Sequence, residues 1–123
     1  MPTDGPLSEL GNDAALTLIP LADNKIFYYN GALDQSLKKG AYGATGYGQT
    51  GGIGDIIAKK QLAMDRSYPG GRKELMLLIK PAPASNYKNV VSLLDEALIH
   101  DVKRCALLDP TKDELQSAHD VKK

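Results

Sequence analysis

The stretch from Glu74 to Asp109, ELMLLIKPAPASNYKNVVSLLDEALIHDVKRCALLD, constrains the fold of this chain most tightly. Five apolar residues in a row, Leu75 to Ile79, suit a strand buried on both faces. Pro81 and Pro83 stop it, because proline cannot donate to a sheet ladder. Ser85 is placed to cap a helix. Tyr87, Val91, Leu94 and Leu98 recur at i, i+4, i+7 and i+11, with Val90 and Ala97 beside them, and form an apolar stripe on that helix. Lys88, Asp95, Glu96 and Asp101 fall largely on the other face. A second apolar run, Cys105 to Leu108, reads as another strand. Two strands joined by a helical crossover are expected to be parallel and right-handed.

Upstream, residues 1–13 read as a lead or linker. Ala14 to Leu21 (AALTLIPL) is a strand candidate in which Pro20 suggests an edge position or a bulge. Asp23-Asn24 is turn chemistry, Ile26 to Tyr29 is rich in β-formers, and the pair reads as a hairpin ended by Asn30-Gly31. Residues 31–52 hold seven of the twelve glycines, which predicts a long flexible loop with one helical turn over 32–39. Ile53, Ile56, Ile57 and Met64 give residues 53–67 an apolar side, supported by an Asp55–Lys59 pair at i,i+4, before Pro69-Gly70-Gly71 breaks the helix. Residues 111–123 are polar and charged, a frayed or weakly helical tail. The order β-β-α-β-α-β predicts an α+β two-layer sandwich: one domain over 14–110, a mixed sheet with two helices on one face.

Composition narrows the functions available. Fifteen basic and fifteen acidic residues cancel, so the chain lacks the electrostatic footprint of a nucleic-acid binder. No run approaches the ~20 apolar residues of a membrane span, and no secretory signal opens the chain. Met1-Pro2 with its polar, glycine-containing lead suggests that the native protein is longer.

Chemistry-bearing motifs are sparse. The single cysteine, Cys105, reads as a small core residue of its strand. His100 lies at a helix end and His119 in the polar tail; neither is placed by sequence to serve Cys105 as a base. Gly46-Tyr47-Gly48-Gln49-Thr50-Gly51 matches G-x-G-x-x-G. A dinucleotide site needs a strand directly before that motif, where residues 40–45 read as loop, and an acid ending a second strand, where Asp65 falls inside a helix. No catalytic, cofactor-binding or metal-ligating residue is therefore assigned, and no enzyme or cofactor is expected.

The apolar strand ending in IKP, the segment SNYKNVVSLLDEALIHDVKRCALLD and the hairpin LTLIPLADNKIFYYNG together resemble the periplasmic domain of the ExbD/TolR family, over about residues 14–110. That resemblance implies a subunit of a proton-motive-force-driven inner-membrane motor, more ExbD-like than TolR-like. Members carry one N-terminal transmembrane helix with a proton-coupling Asp and work beside an ExbB/TolQ-type channel subunit. They energise TonB-dependent outer-membrane transport. The resemblance implies a homodimer that binds a TonB-like partner segment on a sheet edge, at the periplasmic face of the inner membrane. A TolR-like variant would instead contact peptidoglycan in envelope integrity. The alternatives outside the family are a soluble small-ligand-binding α+β module using the glycine loop, and a small enzyme using His100 or Cys105.

Overall fold

The computed structural model describes residues 15–31, 33–47, 52–67, 70–83 and 85–122. The lead, Gly48 to Gly51, and Pro69 of the expected helix break lie outside them. The strands are β1 (Ala15–Pro20), β2 (Ile26–Asn30), β3 (Tyr42–Thr45), β4 (Met76–Ile79) and β5 (Arg104–Leu107). The helices are α1 (Leu33–Lys39), α2 (Ile53–Ser67), α3 (Tyr87–Ile99) and α4 (Lys112–Lys122). The strands form one mixed sheet in the order β3-β2-β1-β4-β5. β1 runs antiparallel to β2 and parallel to β4, and β4 runs parallel to β5. The fold is α+β, with α2 and α3 on one face of a mixed sheet.

The hairpin closes as its residues dictate. Asp23 and Asn24 both take positive φ (62° and 58°), a conformation these short polar side chains tolerate, and Leu21 N–H donates to the Lys25 carbonyl at 2.8 Å. Pro20 does not mark an edge, because β1 is the central strand. The β1–β4 register ends at Leu18 with Ile79, but Ala82 N–H still donates to the Pro20 carbonyl (3.0 Å), so a central strand tolerates Pro20 here as an acceptor that lacks only its own donor.

Residues 31–52 are not simply a loop. They contain α1 and the edge strand β3. Gly40, at φ +73°, turns the chain out of α1, where a left-handed residue is needed and glycine meets no Cβ penalty. Glycines that read as flexibility serve here as punctuation between short elements. Of the two readings of the C-terminal residues, frayed or weakly helical, the helical one holds: they form α4. Thr111 and Glu114 make reciprocal bonds at its start: Glu114 N–H to Thr111 Oγ1 (3.1 Å) and Thr111 N–H to Glu114 Oε1 (2.7 Å).

Two apolar clusters flank the sheet. Leu16, Leu18, Ile26, Leu77 and Ile79 meet Ile53, Ile57 and Met64 of α2 and Leu93 and Ala97 of α3. On the other face Ile19, Phe27 and Tyr29 meet Ala118 of α4, with Leu33 of α1 and Leu115 packed alongside. Each fully buried Leu or Ile contributes about 1.5–3 kcal/mol. Exposed pairs such as Lys59–Asp55 (3.3 Å) contribute about 0.3–0.5 kcal/mol. Burial in the two clusters therefore outweighs the exposed ion pairs. β4 is not buried on both faces: Leu77 and Ile79 are fully covered, while Met76 is exposed, because the second cluster reaches only the β1–β3 half.

Asn86, not Ser85, caps α3. Its side chain accepts from Asn89 N–H (2.9 Å), and Asn89 Oδ1 accepts in return from Asn86 N–H (3.5 Å). The Ser85 hydroxyl donates instead to the Ala82 carbonyl (2.8 Å). Asn86→Ala is expected to cost about 1 kcal/mol in urea denaturation, the usual value of a lost N-cap.

Candidate interaction surface

α3 does not bury the stripe that its spacing predicts. The core takes Val90, Leu93 and Ala97, along with Asn89 and Glu96. Tyr87, Leu94 and Leu98 stand exposed, Leu98 at 78% and Tyr87 at 81%. The helix carries two adjacent apolar stripes, and tertiary contacts choose between them. Asn89 Nδ2 donates to Asn24 Oδ1 (3.0 Å), and Gln61 Nε2 of α2 donates to the His100 carbonyl at the C-terminus of α3 (2.7 Å). This flank of α3 therefore turns toward the middle of the sheet. The Tyr87–Leu94–Leu98 stripe lies on the other flank of the helix and is left exposed.

β5 ends the sheet. In the β4–β5 register Cys105 pairs with Leu77 and Leu107 with Ile79, so both side chains project on the α3 face. Cys105 is exposed rather than part of the core, because an edge strand has a neighbour on one side only. Burial by nearby atoms still pushes its thiol pKa up, so nothing here activates it as a nucleophile. Leu107 is 56% exposed. Leu108 N–H donates to the Ile79 carbonyl (2.9 Å). By the alternation of a parallel ladder, the N–H and C=O of Cys105 and Leu107 then point away from the sheet. Edge strands are usually blunted by charge, proline or a bulge. Here charge stands at its two ends, Arg104 at the start and Asp109 with Pro110 just past the end, while Cys105, Ala106 and Leu107 between them are uncharged. The outward main-chain groups of Cys105 and Leu107 are thus open on this edge.

A second feature fixes how far the sheet is covered. Glu114 of α4 is 2% exposed and accepts from the Tyr29 hydroxyl and from Lys80 Nζ (2.7 Å) while capping its own helix. Burial alone would raise the Glu114 pKa; the bonds from Lys80, Tyr29 and Thr111 N–H outweigh it and hold the carboxyl below its usual range. The Tyr29 phenol is pushed well above its ordinary value, first by burial and then by its bond to Glu114. A cavity of about 630 Å³ between α1 and α4 is lined by Leu33, Leu37 and Asp113 around these groups. Its carboxylate already has three donors, so it is an anchor for α4 and offers a ligand little.

The sequence-singled residues are dispersed. His100 caps α3, its Nε2 3.5 Å from Glu96 Oε1, while Cys105 lies on the sheet edge and His119 is exposed on α4. Asp65 lies within α2, where the Arg72 guanidinium (2.6 and 2.9 Å) and backbone N–H hold its carboxyl below the usual range. The glycine motif does follow a strand: β3 ends at Thr45, directly before Gly46. Its Gly48 to Gly51 lie outside the described residues. The Gly46 carbonyl accepts the first N–H of α2, from Ile53 (3.0 Å), and a side chain at Gly46 would meet nothing closer than 3.8 Å. Beside it, burial pushes the Tyr47 phenol up to about 12, and its hydroxyl has no hydrogen-bond partner among the described residues. No group of three or more His, Cys, Asp or Glu is arranged to hold a metal among the described residues. None of the described helices is long and apolar enough to cross a membrane.

The β5 edge and the α3 flank were only half legible. The short final strand is a visible edge candidate in the sequence, but the exposure of Leu94 and Leu98 depends on which stripe of α3 wins the core. The Thr111–Glu114 capping box is a T-x-x-E signal that marks α4 in the sequence. The contact of Glu114 with Tyr29, 85 residues away, has no such signal. No family model matches the chain, and neither a curated protein nor a solved structure matches it.

Proposed function

We propose that this chain is the periplasmic domain of an ExbD-like subunit in a proton-motive-force-driven inner-membrane motor that energises TonB-dependent outer-membrane transport. The observation that carries the reading is the placement of its two resembling segments. The hairpin and the strand-helix-strand unit lie side by side as β2-β1-β4-β5, and β5 is a terminal strand. In this reading the domain does no chemistry. It dimerises and holds an extended segment of a TonB-like partner by strand addition, where main-chain hydrogen bonds supply affinity. A transmembrane helix elsewhere in the native protein would couple it to an ExbB/TolQ-like channel subunit.

The sheet offers two terminal strands, β3 and β5. Titrating the ¹⁵N-labelled chain with a TonB-like periplasmic segment is expected to shift amides along one of them. Absence of any amide shift at millimolar peptide would remove the TonB-binding role. Retention on purified sacculi in its place would favour the TolR-like alternative of peptidoglycan contact.

A further inference from the structure

We propose that α4 is a releasable cover on the hairpin half of the sheet, latched by Glu114, and that it opens while the five-stranded sheet stays folded. The two helices on the opposite face are held by buried apolar side chains: Ile53, Ile57 and Met64 on α2, and Val90, Leu93 and Ala97 on α3. α4 is built differently. Of its described side chains only Glu114 and Ala118 are buried, with Leu115 half-buried. An alanine brings little apolar area, so the burial that fixes α2 and α3 is small here. Main-chain bonds do not tie the helix down either. Among the described residues the last such bond to the sheet is Leu108 N–H to the Ile79 carbonyl, before Asp109 and Pro110 lead into α4. Toward α1 the helix faces the cavity of about 630 Å³, where close packing is missing.

The strongest hold is charged. One oxygen of Glu114 accepts from the Tyr29 hydroxyl on β2 and from Lys80 Nζ just past β4, and the other accepts from Thr111 N–H. A single carboxylate therefore joins α4 to the hairpin and to the segment that leads into α3. Local opening is easiest where buried apolar contacts are few. Once off the sheet, an 11-residue helix is too short to persist in water. Opening uncovers part of Ile19, Phe27 and Tyr29. Leu33 of α1 and Tyr42, with its ring centroid 6.3 Å from that of Phe27, stay over the rest. The newly exposed apolar area is thus small, and the layer of α2 and α3 on the other face is untouched.

The test is thiol labelling of the full chain under native conditions. In a Cys105→Ser background, Ala118→Cys puts a thiol under α4 and Ala97→Cys puts one under α3, the same small substitution at two buried sites. The Ala118→Cys chain is expected to react ~100-fold faster than the Ala97→Cys chain, because α4 opens without the sheet. Adding Glu114→Ala is expected to speed the first by a further ~100-fold or more, up to the rate of the unfolded chain. The Ala97→Cys thiol should remain the slower of the two, with the strand signal in circular dichroism retained. Glu114→Gln should fall between. Amide exchange in the unsubstituted chain reads the same ordering without a new thiol, with α4 exchanging well ahead of β1 and β4.

Equal labelling at the two sites, matched by equal amide protection, would mean that α4 leaves only when the whole domain unfolds, and would overturn the proposal. So would an Ala118→Cys rate that Glu114→Ala leaves unchanged, since the carboxylate would then be no latch. An α4 without amide protection in the unsubstituted chain would overturn it as well, because no closed cover would exist to release.

Discussion

Replacing Glu114 with alanine is expected to destabilise the domain by about 3–5 kcal/mol, the cost of leaving one member of a buried ion pair without its partner. Lys80, with its side chain 15% exposed, would lose its carboxylate, Tyr29 its acceptor, and α4 its reciprocal cap in one substitution. Glu114→Gln, which retains an acceptor of the same shape, is expected to cost clearly less. Urea denaturation followed by circular dichroism would measure both. A loss below ~1 kcal/mol for the alanine variant would show that α4 is not held by this carboxylate.

The same group sets an acid limb. Glu114 keeps its charge to lower pH in the fold than in the unfolded chain. Its contribution is therefore fully present above the unfolded value of ~4.3 and is lost as pH falls through the lower folded value. Tyr29 acts at the other end. Its phenol is held neutral in the fold, so its contribution is present below the unfolded value of ~10 and fades as pH rises beyond it. Melting temperature against pH should fall on both sides, and Glu114→Ala should flatten the acid side.

The second large effect separates the two stripes of α3. Leu93→Ala is expected to cost about 2–5 kcal/mol, because its side chain is fully enclosed between sheet and helices and its loss leaves a cavity. Leu98→Ala, five residues on and 78% exposed, is expected to stay within about 0.5 kcal/mol. Paired denaturation curves decide the matter. Had the spacing of Tyr87, Val91, Leu94 and Leu98 chosen the core, the two values would be reversed. A small Leu98 effect on stability with a large one on self-association would identify that flank as interaction surface.

Much of this architecture is written locally. Asp23-Asn24 forces a tight turn, alternation in β1 and β2 sets their faces, and five apolar residues bounded by prolines make β4. Local signals of this kind, and the run of apolar residues from 53 to 64, are enough for an α+β domain with two helices on one face. The same reading misjudged features that depend on neighbours. Seven glycines outweighed the short run Tyr42–Thr45, which becomes a strand only because β2 offers it a free edge. Pro20 reads as an edge residue until β1 is seen to be central, with the Pro20 carbonyl still accepting from Ala82 N–H. Cys105 reads as core until β5 is known to be terminal.

The sequence by itself determined the hairpin, the helix over 53–67 and the strand-helix-strand unit that follows, because turns and hydrophobic periodicity act over a few residues. Only the tertiary structure decided which of two apolar stripes on α3 faces inward, that α4 docks through a carboxylate far from its partners, and which strand is left open. Those choices depend on which surfaces are already occupied when the elements meet, and no local spacing carries that information.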